Sequence, residues 1–413
     1  MRKTFSIISL GCFRNTYDSE LITKRFIDRG YIFKESADNV HTLIINTCGF
    51  IKEAKEESLE YIQNAVKLKR KKAIKKIIVR GCLVERYANV LKKEFLSVDD
   101  WGGVESFPQS ILFKPRIVPS HIGFLKISEG CNNNCSYCSI PLFKGNLVSK
   151  DTGSILKELE YMDRRGIKEV NIIGQDVTSW GRDLMGKYNI VSLLKSMLKK
   201  AKNIRWFRIV YTHPKFFTKD LIDLIAHEER ICKYIDLPIQ HINDRILKMM
   251  NRNITKKEII SLIKRIRSKM NDAVIRTSLI VGFPSESKDE FDELFSFVKK
   301  MKFQRLGVFK YSREEGTAAY NFPGHIHHMT KQKRFREIMD LQRGISYEYN
   351  KTMLGRKIKV LIDEARNGLS IGHDEHSAYD IDGVVYIKAK KVKKGRFYNL
   401  KVRQAFDYDL IAQ

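Results

Sequence analysis

Three of the chain's seven cysteines lie close together in sequence, at Cys131, Cys135 and Cys138. Cysteine thiolates are the usual ligands of iron–sulfur clusters, and a 4Fe–4S cluster normally takes four of them. Three local thiolates would therefore leave one iron open to a ligand from outside the protein. A zinc site is the alternative, but zinc ligands more often come as two C-x-x-C pairs or with nearby histidines, and neither pattern is present here. The spacing predicts a 4Fe–4S cluster with one open iron.

The C-x-x-x-C-x-x-C spacing of these cysteines resembles that of the radical S-adenosylmethionine (SAM) enzymes. In that superfamily the amino and carboxylate groups of SAM occupy the open iron. The resemblance implies that Cys131, Cys135 and Cys138 are catalytic cluster ligands and that SAM is a cofactor.

Cys12, Cys48 and Cys82 are dispersed in sequence but share one topological position, because each follows a predicted strand. Ligands bind at the carboxyl edge of open α/β sheets, so the three thiols are expected to converge. Each has a glycine beside it, which would let the backbone approach a bulky inorganic core. We expect these three to hold a second, auxiliary 4Fe–4S cluster, again with one open iron. Cys232 is left over and is expected to be a packed thiol.

The pattern of elements predicts an α/β protein with three domains. Residues 1–116 alternate strands and helices as in an open parallel α/β sheet. Residues 117–350 contain six further βα units, which predict a partial (β/α)6 barrel whose chemistry lies on the loops that leave the strands. Residues 351–413 show short strands and turn signals, which predict a small β-barrel. The predicted strands are 4–10, 42–46, 76–80, 123–128, 169–173, 204–210, 234–237, 273–281 and 305–310, the predicted helices include 18–29, 54–72, 154–165 and 256–269, and the turns are Asn367-Gly368 and Asp382-Gly383.

Motifs along the whole chain resemble the methylthiotransferases, a family of radical SAM enzymes. The motifs are SLGCFRN (9–15), DSE (18–20), NTCGFI (46–51), GCL (81–83), KISEGC (126–131), GQD (174–176), YTHP (211–214), DLPIQH (236–241), IVGFP (280–284) and YSREEGT (311–317). The resemblance implies a methylthiotransferase N-terminal domain with the auxiliary cluster, a radical SAM core and a terminal TRAM domain. It also implies a catalytic role for all six clustered cysteines and SAM contacts at Tyr137, Gly174 and Gln175.

Within that family the GQD and YSREEGT motifs, and above all AYDIDG at 378–383, are most similar to the RimO type. That type transfers a methylthio group to the β-carbon of an aspartate in the small-subunit ribosomal protein number twelve. The resemblance implies that SAM serves both as methyl donor and as radical source, and that an electron donor such as a flavodoxin or ferredoxin takes part. The alternative within the family is a tRNA adenosine methylthiotransferase of the MiaB type.

Acidic residues crowd the first half of the terminal domain, where Arg366 is the only formal cation from 363 to 382. If their side chains share a face, it would repel a phosphate backbone and suit a basic ribosomal protein. The chain departs from the RimO pattern at Phe13 and Arg14, where proline and lysine are common, and at His373 and Tyr379, where arginine and proline are expected. The acidic residues are Asp363, Glu364, Asp374, Glu375, Asp380 and Asp382.

The 413-residue chain carries a formal net charge of +28. The charge is spread along the chain, so it supports work near RNA or the ribosome only weakly. A non-catalytic RNA-binding protein with structural metal sites is a different class, and the open iron argues against it because structural sites normally have four protein ligands. The chain contains no apolar run of the roughly 18 residues that a membrane span needs. We expect a cytoplasmic enzyme whose cysteines are ligands rather than disulfides.

Overall fold

The first five strands of the computed structural model form one all-parallel sheet in the order β2-β1-β3-β4-β5. The structure describes residues 3–105, 107, 108, 115, 117–186, 188–366, 368–389 and 391–413. β3 is buried along its whole length, as expected of a central strand covered on both faces. The strands are β1 (Thr4–Ser9), β2 (Ile32–Phe33), β3 (Thr42–Thr47), β4 (Lys76–Gly81) and β5 (Asp100–Gly102).

Three helices connect these strands: α1 (Phe13–Asp28), α2 (Lys52–Arg70) and α3 (Cys82–Glu94). α1 begins earlier than the predicted residue 18. The polar residues Asn15, Asp18 and Glu20 hid this start, because they are buried rather than exposed and so blur the amphipathic pattern. The earlier start matters for the site, since it makes Cys12 the N-cap of α1.

The second unit contains the predicted (β/α)6 strands as two three-stranded parallel sheets. β6, β9 and β10 form one sheet and β11, β12 and β13 the other, with a single bridge between Phe207 and Ile231 joining them. The fold prediction is confirmed, with an interruption of the hydrogen bonding between β10 and β11. The strands are β6 (Ile122–Lys126), β7 (Ser128–Glu129), β8 (Val148–Ser149), β9 (Glu169–Ile173), β10 (Trp206–Ile209), β11 (Tyr234–Asp236), β12 (Val274–Val281) and β13 (Arg305–Lys310).

Helices cover the outside of these sheets and build the largest apolar core of the protein. Alternate strand residues such as Val170, Ile172 and Phe207 point outward into that core, while Glu169 and Arg208 lie on the opposite side of the strands. The helices are α4 (Ile140–Lys144), α5 (Thr152–Arg164), α6 (Ile190–Lys200), α7 (Lys219–His227), α8 (Asp244–Met249), α9 (Lys256–Lys269), α10 (Lys288–Met301) and α11 (His328–Lys351). None of the helices in the described part of the chain is both long and apolar enough to cross a membrane.

The last five strands form the predicted small β-barrel, which closes in the order β14-β15-β16-β18-β17. Two predicted features, the turn residue Asn367 and the domain boundary at Arg116, lie outside the described residues. The division into 1–116, 117–350 and 351–413 remains a prediction. The strands are β14 (Lys357–Glu364), β15 (Ser370–Asp374), β16 (Val385–Ile387), β17 (Phe397–Ala405) and β18 (Leu410–Ala412).

A buried set of charges, here called the interdomain latch, joins the terminal barrel to the central one. Glu169 accepts a hydrogen bond from Arg208 Nε at 2.8 Å and pairs with His373 Nε2 at 2.6 Å. Asp363 pairs with His373 Nδ1 at 2.6 Å. Burial alone would lower the pKa of His373, but the two carboxylates outweigh burial and raise that pKa to about 10. His373 is therefore a buried cation at neutral pH, with two carboxylates as its partners.

The acidic residues of the terminal domain do not share one face. Asp363 and Asp374 are buried, and Asp382 accepts a hydrogen bond at 2.7 Å from the hydroxyl of Tyr234 in the central barrel. Asp382 also pairs with Arg276 of that barrel at 3.6 Å. The expectation of a single acidic docking face is therefore wrong, because several of these carboxylates hold the two barrels together.

Candidate active site

Cys12, Cys48 and Cys82, here called the strand-end trio, lie at one edge of the first sheet. Cys12 follows β1, Cys48 directly follows β3, and Cys82 follows β4 as the first residue of α3. Because β1, β3 and β4 are adjacent and parallel, their carboxyl ends meet at the same edge. Cys12 and Cys82 also lie at helix N-termini, where the helix dipole favours the thiolate form.

Glycines allow the cysteine-bearing segments to approach each other. A Cβ on Gly11 would lie 2.9 Å from Cys48 Cβ and 3.0 Å from its Sγ, and a Cβ on Gly49 would lie 2.8 Å from the Leu83 backbone. Gly11 also has φ +89°, a conformation that a residue with a Cβ rarely adopts. These glycines therefore let backbone segments pack closely against each other around the trio. The sequence suggested instead that they let the backbone approach an inorganic core directly.

Asn15 ties the three segments of the strand-end trio together. Its side-chain amide donates to the carbonyl oxygen of Leu10 at 2.8 Å and to that of Thr47 at 2.9 Å. Its Oδ1 accepts from Cys82 Sγ at 3.7 Å. One buried side chain thus contacts the chain beside all three cysteines.

The thiols of this trio differ in acidity. Burial opposes ionisation of Cys12. The charge of Arg14, the bond from its Nε to Cys12 Sγ at 3.2 Å and backbone hydrogen bonds from Arg14 and Asn15 together outweigh burial and lower the pKa of Cys12. Burial raises the pKa of Cys48 to about 11 and that of Cys82 to about 12. Iron binds thiolates, so coordination would have to displace the protons of Cys48 and Cys82.

Cys131, Cys135 and Cys138, here called the loop trio, lie in one loop between β7 and α4. Within this segment, Cys131 N donates to the Gly145 carbonyl at 3.1 Å and Cys138 N to the Cys135 carbonyl at 3.0 Å. Asn133 Nδ2 donates to Asp176 Oδ2 at 2.8 Å, which links the loop to the GQD motif. The segment after α8 also anchors the loop, because Ser136 N donates to the Met250 carbonyl at 3.0 Å. The thiols of this trio come from one loop, unlike those of the strand-end trio, but distant contacts hold that loop in place.

A guanidinium also contacts the loop trio. Arg252 Nη1 lies 3.6 Å from Cys135 Sγ, as Arg14 lies against Cys12. Burial raises the pKa of Cys131 to about 11, and burial together with the charge of Cys135 raises that of Cys138 to about 12. Each trio thus places one thiol beside a guanidinium.

One small cavity is lined by all three thiols of the strand-end trio. Arg14 and Gln175 line it as well, together with residues of α4, which begins two residues after Cys138. Ser139 Oγ donates to the carbonyl oxygen of Phe50 at 3.2 Å, which joins the chain beside Cys138 to the chain beside Cys48. The loop trio is therefore followed directly by a helix that forms part of the wall of this cavity.

Buried ion pairs fix the first sheet against the central barrel beside this cavity. Asp18 on α1 pairs with Lys126 at 2.8 Å and with Lys144 at 3.0 Å. Glu129 pairs with both lysines as well and accepts a hydrogen bond from Gln175. Each of these charges has an opposite partner, as burial requires. The network holds α1 and α4 at a fixed separation.

The predicted SAM contacts have mixed surroundings. Gly174 is required by close packing, because a Cβ there would lie 2.7 Å from Ser128 Oγ. Gln175 lines the cavity of the strand-end trio. Tyr137 packs against an apolar cluster that includes Phe283 and Tyr311. The assignment of Tyr137, Gly174 and Gln175 to SAM remains a prediction.

A second cavity, of about 340 Å³, opens beside the loop trio. Asn132 and Asn133 of the loop line it with three basic side chains, Arg182, Lys215 and Arg252. Burial, reinforced by Arg252, lowers the pKa of the His213 imidazole in its wall to about 2. The lining suits an anionic or zwitterionic ligand.

The donor sets fit iron–sulfur clusters. All six cysteines of the trios are free thiols, and three thiols per cluster leave one iron for another ligand. Among the described residues, no group of three or more His, Cys, Asp or Glu side chains is arranged to hold a single metal ion.

Sequence reasoning missed the charged and amide groups that support the trios. Arg14 and Asn15 lie within the SLGCFRN motif, and Lys126 and Glu129 lie within the KISEGC motif. The signal was present as a shared motif, but only coordinates connect it to a role, because their partners are distant in sequence.

Three family models match successive parts of the chain. The model described as "Uncharacterized protein family UPF0004" matches residues 4–103, "Radical SAM superfamily" matches 125–298, and "TRAM domain" matches 354–413. The radical SAM match implies that the enzyme uses SAM and a 4Fe–4S cluster.

Relatives and solved structures extend these matches to the full length. The "Ribosomal protein uS12 methylthiotransferase RimO" of Thermoanaerobacter sp. (strain X514) is 39% identical, with 100% of each chain covered. The protein of the same name from Clostridioides difficile (strain 630) is 38% identical over 98% of this chain and 97% of its own. The structure of the radical S-adenosylmethionine methyltransferase TsrM from Kitasatospora setae has a similar fold, with a TM-score of 0.52 at 12% identity over 90% of this chain and 81% of that one. The chain belongs to the radical SAM methylthiotransferases of the RimO family.

Proposed function

We propose that this enzyme methylthiolates the β-carbon of an aspartate in ribosomal protein uS12, using SAM and two 4Fe–4S clusters. The observation that carries the proposal is that the segment following the loop trio packs against the cavity of the strand-end trio, through α4 and the bond from Ser139 to Phe50. The substrate follows from the printed names of the relatives that match the whole chain.

The strand-end trio would hold the auxiliary cluster, and the loop trio would hold the cluster that exchanges its open iron with SAM. When bound, the cluster of the loop trio would supply the electron that cleaves SAM, and the auxiliary cluster of the strand-end trio would supply the sulfur that is transferred. Arg14 and Arg252 contribute a donor to one sulfur of each trio.

The protein's own residues hold these parts at a fixed distance and exclude water. The pairs from Asp18 to Lys126 and Lys144 connect α1 to the barrel and α4. On the other side of the first sheet, buried Glu314 of the barrel pairs with Lys55 and Arg86, each at 2.9 Å. Contacts on two sides of the strand-end trio would keep the sheet seated on the barrel during turnover.

The choice between a protein and a tRNA substrate rests on the relatives rather than on surface charge, because the expected acidic face does not form. A tRNA adenosine methylthiotransferase of the MiaB type is the competing assignment. We further propose a cytoplasmic location, where ribosomal proteins are made, and a flavodoxin or ferredoxin as electron donor.

Cluster number is tested by iron and acid-labile sulfide analysis of anaerobically purified protein. Replacing Cys12, Cys48 and Cys82 together by alanine should remove about half of the iron and sulfide, since one of two 4Fe–4S clusters is lost. Replacing Cys131, Cys135 and Cys138 should remove the other half. Loss of all iron in either triple variant, or of none, would contradict two separate clusters.

Substrate identity is tested by deleting the gene and measuring the masses of uS12 and of tRNA nucleosides. The expected result is loss of the methylthio group from uS12 alone, restored by the wild-type gene. If uS12 keeps the modification and tRNA loses one, the enzyme is of the MiaB type.

A further inference from the structure

Arg14 has unused hydrogen-bonding capacity in the cavity that the strand-end trio lines. Its Nε donates to Cys12 Sγ at 3.2 Å, and its guanidinium lies 4.6 Å from the centre of the Tyr211 ring. A guanidinium has five N–H donors, and the terminal nitrogens of Arg14 have no hydrogen-bond partner among the residues that the structure describes. The side chain is half-buried and lines the cavity. The two terminal nitrogens, here called the free edge of Arg14, are therefore held in place and can donate hydrogen bonds to a ligand.

The guanidinium lies between the first sheet and the central barrel. It contacts Cys12, which follows β1, on one side and Tyr211, which follows β10, on the other. Arg14 forms no ion pair with a carboxylate in the described part of the chain. Glu129 is close enough for its charge to act on Arg14, but it is engaged by Lys126 and Lys144.

We propose that the free edge of Arg14 binds the side-chain carboxylate of the substrate aspartate and so places the reacting carbon between the two trios. This inference rests on the proposed function. Arginine matches a carboxylate with two parallel N–H···O bonds, which fixes orientation as well as position. Cys12 contacts one edge of the guanidinium and Tyr211 one face. Because the side chain is already held, it loses little conformational entropy when the substrate binds.

The chemistry of aspartate explains why this contact would select the substrate. The β-carbon of aspartate is bonded directly to the carboxyl carbon, so a grip on the carboxylate locates the carbon that reacts. Glutamate has one more methylene between the two, and gripping its carboxylate would present the γ-carbon instead. Asparagine has the right length but offers an N–H₂ group where Arg14 needs an acceptor, which leaves a donor unpaired. Arg14 is therefore a specificity-determining residue that selects both the charge and the length of the substrate side chain.

The other role open to Arg14 is purely local, as a donor that supports Cys12. That role predicts a change in the auxiliary cluster but no dependence on the substrate carboxylate. A double-mutant cycle separates the two, because it measures only the coupling between Arg14 and the substrate group.

The test measures binding of uS12 to the cluster-loaded enzyme without reductant, so that no turnover occurs. Fluorescence anisotropy would compare uS12 with its variants carrying Asn or Glu at the target aspartate. Wild-type enzyme should bind the Asp form at least about tenfold more tightly than the Asn form, the size expected of a charge-assisted contact. Arg14→Gln should remove this preference, and Arg14→Lys should keep part of it. Arg29→Gln, which removes the same charge from the exposed end of α1, should leave the preference intact.

Iron content and the electron paramagnetic resonance spectrum of the reduced auxiliary cluster verify that Arg14→Gln is loaded. If Arg14→Gln retains the full preference for aspartate, or weakens the Asp and Asn forms equally, the inference is wrong while the proposed function stands. If wild-type enzyme binds the Asp and Asn forms equally, the inference is wrong while the proposed function stands; if it does not bind uS12 at all, the proposed function fails first.

Discussion

The two cysteine trios lie on neighbouring segments but are assembled differently. The loop trio comes from eight residues of one loop, with a bond from Cys138 N to the Cys135 carbonyl and a distant anchor where Ser136 N donates to the Met250 carbonyl at 3.0 Å. The strand-end trio comes from three strands and is assembled by the order of a parallel sheet. The thiols of one trio are therefore close in sequence, and those of the other are brought together by the fold.

This difference predicts different sensitivities. The loop trio depends on one loop and on the barrel segments that anchor it, whereas the strand-end trio fails when any of its three segments shifts. Asn15 and Gly11 are where the dispersed site is most vulnerable, because each contacts more than one cysteine-bearing segment.

The largest expected effect separates the trios by chemistry. Cys135→Ala should abolish both reductive SAM cleavage and methylthio transfer, because the SAM-exchanging cluster is lost. Cys48→Ala should abolish transfer but retain SAM cleavage to 5′-deoxyadenosine, since all three loop cysteines remain and their loop is anchored by the central barrel, for example through the bond from Ser136 N to the Met250 carbonyl. Chromatography of both products checks this. Loss of SAM cleavage in Cys48→Ala would mean that the loop trio also depends on the first sheet.

The next largest effect concerns the barrel that carries the loop trio. His373→Gln leaves Glu169 and Asp363 buried without their shared cation, so the free energy of unfolding should fall by about 3 kcal/mol at neutral pH. Because the folded pKa of His373 is raised to about 10, its charge stabilises fully below about pH 6.5, the unfolded value, and this is lost as the pH rises toward 10.

The two proteins should therefore converge in stability between about pH 6.5 and 10. Urea unfolding at several pH values measures this, with the exposed residue change His227→Gln as control. A stability difference that does not shrink at high pH would argue against a charged His373. Iron bound by the strand-end trio should be retained in His373→Gln under folded conditions.

A smaller effect tests the dispersed trio by geometry. Gly11→Ala and Gly30→Ala place a Cβ at φ +89° and +82°, and each should cost about 1–2 kcal/mol of unfolding free energy. At Gly30 nothing lies within 4 Å of the new atom, whereas at Gly11 it meets Cys48. Only Gly11→Ala should also lose iron from the strand-end trio, by iron analysis in a background lacking the loop cysteines. Equal iron in both variants would show that the contact is unimportant.

The smallest effect concerns the seventh cysteine. Cys232 is 1% exposed and packs among Trp206 and Tyr234, away from both trios. Cys232→Ala should leave the iron and sulfide content unchanged and lower the free energy of unfolding by about 1 kcal/mol. A loss of iron from this variant would break the assignment of six ligands to two trios.

Sequence captured the strand order of the site better than its supporting contacts. The period of the βα units and the position of Cys12, Cys48 and Cys82 after strands were enough to predict where the thiols lie, because parallel strands end at one edge. The start of α1 was misjudged, since buried polar residues such as Asp18 mimic a loop. Their partners, Lys126 and Lys144, are more than a hundred residues away, beyond any local pattern.

The terminal domain shows the opposite limit. Its β-barrel was predictable from short strands and turns, but the orientation of its acidic residues was not. Asp363 and Asp382 point toward the central barrel, because that barrel presents His121 to Asp363 at 3.0 Å and Arg276 to Asp382 at 3.6 Å. Sequence shows the sign of a charge, whereas only packing decides whether the charge meets solvent or a partner.

The terminal barrel packs against the catalytic barrel around Arg208. Arg208 of the catalytic barrel donates to the backbone carbonyls of Asp374 and Glu375, at 3.2 and 2.7 Å. Truncating the chain before β14 would leave Arg208 with Glu169 as its only remaining ion-pair partner among the described residues. Replacing this domain with that of another family member would therefore change the stability of the fold before it changed the choice of substrate. Such a chimaera is a poor route to a new specificity here.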